Sequence, residues 1–361
     1  AYQLSNEIGR YASRTRFVEV YLNTDGTSLS PANYNGIYVL EEKIKRDQNR
    51  VDVAKLDPED IAVPDITGGY IMKVDRLDPG DNGFYAAGQG IAYVYPKEAD
   101  INTPQRAPQK SYLQDSLDAF GAALNGASYT NYATGFRAFV DTDSWVDHHI
   151  LNVASFHVDA LRLSAYFYKP RDGKLYFGPA WDFDRSQGST DGRDFNPRVW
   201  RAATDDLGTD FFNYTLWGRM FTDIDFWQQW IDRYQILRTD VLSTNHIYAA
   251  IDALADQVRR QQPREAARWP SLTKPRNGVV AFAGYSNTFP GTYQGEVDFL
   301  KKWYAARLDF MDTNFLARPL FSQDGGAISA GFALSMTAPA GATIYYTTNG
   351  SDPRRIGGGL A

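Results

Sequence analysis

No Cys occurs in the 361 residues, which removes disulfides, thiolate metal sites and cysteine nucleophiles at once. Export stays open, because many exported bacterial chains carry no Cys. Only four His are present (His148, His149, His157 and His246), too few for a His-rich zinc centre, so any metal is expected on oxygen ligands. No run of 18 apolar residues is found, and no segment reads as a membrane span. An excess of one charge is also missing: 37 Lys and Arg stand against 43 Asp and Glu, a net −6, and no five basic residues are consecutive. Neutralising a nucleic-acid backbone or an anionic bilayer needs clustered cations, so neither partner is expected. There is no repeat of fixed period and no low-complexity tract beyond the terminal glycines. Ala1 is preceded by neither Met nor a signal-peptide pattern, and the chain stops just after Gly357-Gly358-Gly359, which reads as a fragment with its N-terminal part truncated.

Aromatic residues, by contrast, are abundant: 21 Phe, 23 Tyr and 8 Trp make up 14% of the chain. Rings in such number fill cores or stack on sugars at an exposed face, and composition does not choose between the two. A chain of this length can bury one large core or two modest ones.

Hydrophobic periodicity predicts a mixed α+β chain. Leu4, Ile8 and Tyr11 recur at helical spacing, so a helix is expected to end near Arg14. Strands are expected at 17–22, 36–40, 68–74 and 91–95, which makes the first hundred residues sheet-rich. Helical patterns then take over at 112–124, 143–154, 226–242, 247–262 and 296–315. Between them, 165–168 and 175–178 flank Asp172-Gly173, a tight-hairpin signal. These shifts suggest a sheet-rich lobe to about residue 108, a helical lobe over 109–318 and an incomplete β-sandwich over 319–361. Its strands would be Phe332 to Met336 and Thr343 to Thr348.

The densest chemistry lies between His157 and Gly188. Asp159 and Asp182 are 23 residues apart, and the hairpin between them can return both carboxylates to one end. Such a pair suits phosphoryl transfer, with one acid orienting an attacking hydroxyl and the other holding a divalent cation against phosphate oxygens. Position five after the first acid, an Asn in protein kinases, is here Ser164. Asp182 and Asp184 also read as turn carboxylates, and Asp159 as an ion-pair partner of Arg162. His148-His149 reads as helix packing. The oxygen-rich run Thr190 to Asn196 lacks the Gly and Glu of an EF-hand, and Asp205 to Asp210 is a further acidic stretch.

Four segments resemble the CotH (spore-coat protein H) kinase-like family: Asn35 to Ile44, His157-Val158-Asp159 with Tyr166 to Lys169, Gly178 to Asp184 with Gly188, and Phe299 to Arg307. Together they cover roughly residues 1 to 316. The resemblance implies a two-lobed atypical kinase, secreted or at the bacterial cell surface, that uses ATP and Mg²⁺ or Mn²⁺ to phosphorylate exposed Ser on a partner protein. It makes Asp159 the catalytic acid and Asp182 a metal ligand, with Asp184 and Ser164 beside it. The phosphate-binding Lys and its Glu are expected among Lys73, Lys43 and Glu42, and no Gly-rich phosphate loop is visible. The stretch Thr343 to Arg354 resembles the small β-sandwich appended to chitobiases and other bacterial surface enzymes. Two other readings stand beside the kinase: an inactive binding or structural protein contacting polysaccharide, and a carbohydrate-active enzyme using two carboxylates.

Overall fold

The computed structural model describes residues 1–77, 82–189, 193–200, 210–270 and 291–360. Residues 190–192 of the oxygen-rich run and 205–209 of the acidic stretch lie outside the described residues.

The chain opens with α1 (Tyr2–Glu7), which is shorter than the spacing predicts. Gly9 turns left-handed at φ +82°, a conformation open to glycine, and ends the helix. Arg10 then swings to Asp147, with Nε 2.7 Å from the carboxylate. A hairpin follows, β1 (Thr15–Tyr21) and β2 (Tyr34–Glu41), antiparallel and in register from Thr15↔Glu41 to Val20↔Gly36. It forms a two-stranded sheet of its own.

The main sheet is built from β3 (Tyr70–Val74), β4 (Gly83–Ala86), β5 (Gln89–Tyr95), β6 (Ala165–Lys169) and β7 (Tyr176–Phe177). Its order is β4-β5-β3-β6-β7, antiparallel throughout. The helices α2 (Glu98–Ile101), α3 (Ala107–Asn125) and α4 (Thr142–Ser155) come between β5 and β6 in the chain. Strands from beyond residue 108 therefore complete the sheet of the first hundred residues. The strand period of two gives β3 two faces. Tyr70, Met72 and Val74 join the large core with α3 and α4, while Ile71 joins Ile44, Val51, Val53 and Tyr166 in a smaller cluster on the other side. Lys73 shares the face of Ile71 and stands directly across from Tyr166.

The rest is helical: α5 (Trp217–Met220), α6 (Ile224–Arg238), α7 (Thr244–Val258), α8 (Gln262–Arg268) and α9 (Tyr293–Thr313). Helix α8 closes the open edge of β2, where Glu265 accepts the Ile37 N–H at 2.9 Å and the Tyr34 hydroxyl at 3.0 Å. The rings answer the question composition left open. Trp145, Trp217, Trp230 and Trp303 are fully buried in the large core, among Phe and Tyr rings packed edge-on and stacked. After α9, the described residues contain one short strand pair, β8 (Leu320–Phe321) with β9 (Met336–Thr337), and an isolated bridge between Arg354 and Leu360, while Thr343 to Thr348 lies outside any strand.

Candidate functional site

Helix α4 aims the first acid. Asp141 caps its N-terminus by accepting the Ser144 N–H at 2.9 Å, and Phe156 ends it in the left-handed region at φ +49°. That conformation is costly for a ring-bearing residue and persists because Phe156 is wholly buried beneath the Arg307 guanidinium, 4.7 Å from its ring. The chain thereby turns into His157-Val158-Asp159.

The segment that follows β7 is fastened to this turn at three points. Val158 N–H donates to the Arg185 carbonyl (3.0 Å), and Gln187 N–H to the Ser155 carbonyl (2.9 Å). The third is His157, whose Nδ1 accepts the Asp159 N–H at 3.2 Å, so that Nε2 carries the proton and donates to the Trp181 carbonyl at 3.1 Å. Burial holds its pKa below the usual range, and the ring stays neutral, packed 4.5 Å from Phe183. Gly188 seals the segment against α9: at φ +78°, a Cβ there would lie 2.9 Å from the rings of Phe299 and Trp303.

Asp159 is an ion-pair partner, as the bland reading expected. Arg162 holds Oδ1 at 2.8 Å, Arg185 holds Oδ2 at 2.9 Å, and Arg193 approaches to 4.0 Å. Asp182 stands in the left-handed region at φ +60° and accepts the Ser164 hydroxyl on Oδ2 at 3.2 Å. Ser164 and Asp182, both named from the sequence as candidate metal ligands, are thus neighbours. Asp184 has its carboxyl pushed up by burial first and then by the negative charge of Asp182, with Asp159 adding to it and Arg185 opposing. One side chain therefore lies in the fields of both acids that the sequence paired.

Lys73 lies on β3, and its Nζ pairs with Asp75 at 3.3 Å. Its cross-strand neighbour Tyr166 feels Asp75, Asp182 and Glu41. Glu42 is elsewhere: Arg14 takes its carboxylate at 2.5 Å, Arg50 lies at 3.5 Å, and its pKa falls to about 2, chiefly through the Arg14 hydrogen bond. Lys43 is exposed. The neighbouring Glu41 has its carboxyl raised by burial first, with the Asp182 charge adding to it and Tyr2 opposing. The Tyr2 hydroxyl accepts the Asp182 N–H at 2.9 Å. His157 and Tyr2 were missed as positioning groups, although His157 lay inside the motif.

Among the described residues no three His, Asp or Glu side chains are already gathered as a metal cage. The donor set still fits Mg²⁺ or Mn²⁺ at a nucleotide. Such ions take one or two carboxylates and complete their shell with phosphate oxygens and water, which Asp182 and its neighbours allow. Beside Asp184 a cavity of about 600 Å³ opens, bounded by Leu4, Phe17, Leu254, Leu300 and Tyr304 among others.

His148 and His149 are core groups. His149 accepts the Trp230 indole N–H on Nδ1 at 3.0 Å and donates from Nε2 to the Phe211 carbonyl at 2.9 Å, while His148 packs 4.7 Å from Phe177. Burial pushes both pKa values down to about 3. Below the unfolded value of about 6.5 the unfolded chain binds protons that the folded one does not, so stability falls as pH falls. Between pH of about 6.5 and 4.5, denaturant titrations should lose stability at about 1.4 kcal/mol per unit for each His. His148→Leu should reduce the slope by about 1.4 kcal/mol per pH unit, and an unchanged slope would contradict the assignment.

A family model described as CotH kinase protein matches residues 1–311. No curated protein matches the chain.

Proposed function

The chain belongs to the CotH kinase family, and from that premise we propose that it transfers the γ-phosphoryl group of ATP to a Ser hydroxyl on a partner protein, with Mg²⁺ or Mn²⁺, outside the cell or at a bacterial cell surface. A kinase-like family implies ATP as donor and a protein as acceptor. The observation that carries the reading to these residues is the fastening of the Asp159 turn to the Asp182 segment through His157, which holds the two ends of the hairpin together beside Asp184.

In this reading Asp159 receives the acceptor hydroxyl. A carboxylate offers about four lone-pair sites, and two arginine contacts leave room for an incoming O–H. Arg162 and Arg185 fix its orientation, so the hydroxyl is placed for in-line attack and its proton has an acceptor. Lys73 steadies the phosphates as a point charge. The divalent cation, when bound, neutralises charge building on the phosphate oxygens. Asp182 would hold it, with Ser164 supplying a neutral oxygen and Asp184 a further carboxylate.

Thermal unfolding with ATP and Mg²⁺ or Mn²⁺ tests this. At about 100 times Kd a ligand stabilises by about 2.7 kcal/mol, and Asp182→Asn should lose most of that shift. No shift in the unaltered chain, or the same shift in the variant, would refute the proposal. The second reading, a binding protein without turnover, draws on Ser164 at the Asn position and on the exposed pair Tyr345 and Tyr346. It predicts retention on polysaccharide and no label transferred from ATP.

A further inference from the structure

Helix α7 carries Ile247, Ile251, Leu254 and Val258 at helical spacing, an apolar stripe of the kind that packs against a neighbour. It packs on α9, yet of this stripe only Ile247 is buried, and Leu254 is 39% exposed. Among the described residues no side chain fills the space in front of it. Leu300 and Tyr304 of α9 and Phe17 of β1 stand around that space as the walls of the cavity of about 600 Å³. Phe17 is itself directly across the hairpin from Val39, so the apolar surface runs out of the cavity onto an exposed strand. Apolar surface left open on this scale marks a place where another molecule is bound.

The floor of the cavity belongs to the site already described. Asp184, Ser186 and Gln187 line it, and the first two flank Arg185. The Arg185 carbonyl accepts the Val158 N–H at 3.0 Å, and its guanidinium holds Asp159 at 2.9 Å. The cavity therefore ends one residue from the group that orients the acid assigned to the acceptor hydroxyl. Lys73, Asp182 and Ser164, on which the nucleotide phosphates and the cation depend, do not line it. We infer that the cavity receives a large apolar side chain of the acceptor protein, within a few residues of the Ser to be phosphorylated, and so selects which Ser is used. This rests on the phosphotransferase reading and deepens it by naming the acceptor. The volume falls in the range of about 300 to 1,000 Å³ common to ligand pockets, enough for a Leu, Met or Phe side chain with its adjoining backbone. An acidic acceptor residue would meet the Asp184 carboxylate and be repelled.

The test uses short peptides of Ala, Gly and Gln around one Ser, with a single Leu moved through the other positions. Label transferred from γ-labelled ATP is read alongside fluorescence anisotropy of the dye-tagged peptide without nucleotide. At the matching spacing the Leu peptide should exceed its Ala counterpart by about tenfold or more in both kcat/KM and affinity. Leu254→Glu should cut that preference to about twofold or less and keep the thermal shift with ATP and Mg²⁺, because it places a charge against the apolar side chain and touches no phosphate ligand. Ile236→Glu, on α6 and 55% exposed, should keep the preference. Equal transfer to Leu and Ala peptides would overturn the inference and leave the phosphotransferase reading standing. Loss of the ATP shift in Leu254→Glu, with the peptide preference intact, would give the cavity to the nucleoside and overturn it as well. Leu-dependent binding with no label transferred to any peptide would uphold the docking role and refute the transfer, and neither binding nor transfer would overturn both. Should Leu254→Glu not fold, Leu254→Ser removes apolar wall without adding charge and should also lower the preference. A preference equal to that of the unaltered chain would then count against the cavity.

Discussion

Asp159→Asn is expected to lower transfer of label from γ-labelled ATP to a Ser-bearing acceptor protein by about 10²- to 10⁴-fold, the range typical of a lost general base. Its stability should fall by only about 1 kcal/mol or less, because Arg162 and Arg185 are 34% and 38% exposed and water screens both pairs. The two measurements separate the roles that the sequence left open. A structural ion pair predicts some loss of stability with turnover intact, whereas a catalytic acid predicts the reverse. Amide replacement keeps the shape of the side chain and one acceptor oxygen, so a large fall in turnover would report the missing charge and proton acceptor. Turnover within about threefold of the unaltered chain would remove Asp159 from the mechanism.

Arg307→Leu should produce the largest loss of stability, about 3 kcal/mol or more in urea titrations. The guanidinium has no exposed surface and donates to the carbonyls of Val153 (2.9 and 2.8 Å), Pro197 (3.0 Å) and Val199 (2.6 Å). Burial lowers its pKa to about 9, which leaves it charged at neutral pH. Leucine fills part of the volume and offers no donor, so the Pro197 and Val199 carbonyls lose a buried partner. Lysine cannot reproduce the planar fork, and Arg307→Lys should recover little. Because Val153 lies in the last turn of α4, ahead of Phe156 and His157, the same change should loosen the Asp159 turn and reduce turnover in whatever fraction stays folded. A loss below about 1 kcal/mol would mean that water or rearranged backbone takes over the carbonyls.

Periodicity was reliable where an element is long and one-sided. Helix α9 keeps Val297, Trp303, Tyr304, Leu308 and Met311 buried along 21 residues, and the alternation in β1 and β2 foretold their pairing. It was unreliable where a single residue overrides the pattern, as Gly9 does at the end of α1. It also missed elements too short to show a period, such as the four residues of β4. At the site, Asp159, Asp182 and Ser164 were legible because one hairpin links them and its return path is short. Lys73, Lys43 and Glu42 were named only as candidates for a phosphate-binding Lys and its Glu, and their partners, Asp75 for Lys73 and Arg14 and Arg50 for Glu42, are set by packing that strand periodicity does not encode.

The sequence by itself determined the α+β class, the absence of Cys chemistry, and the two acids around the Asp172-Gly173 hairpin. Those follow from residue type and local spacing, which the chain carries before it folds. Only the tertiary structure decided that Trp145, Trp217, Trp230 and Trp303 fill the core, that β6 and β7 complete the sheet begun by β3, and that arginines hold Asp159. Such contacts join residues far apart in the chain, and their partners are selected by packing, to which no local pattern in the sequence corresponds.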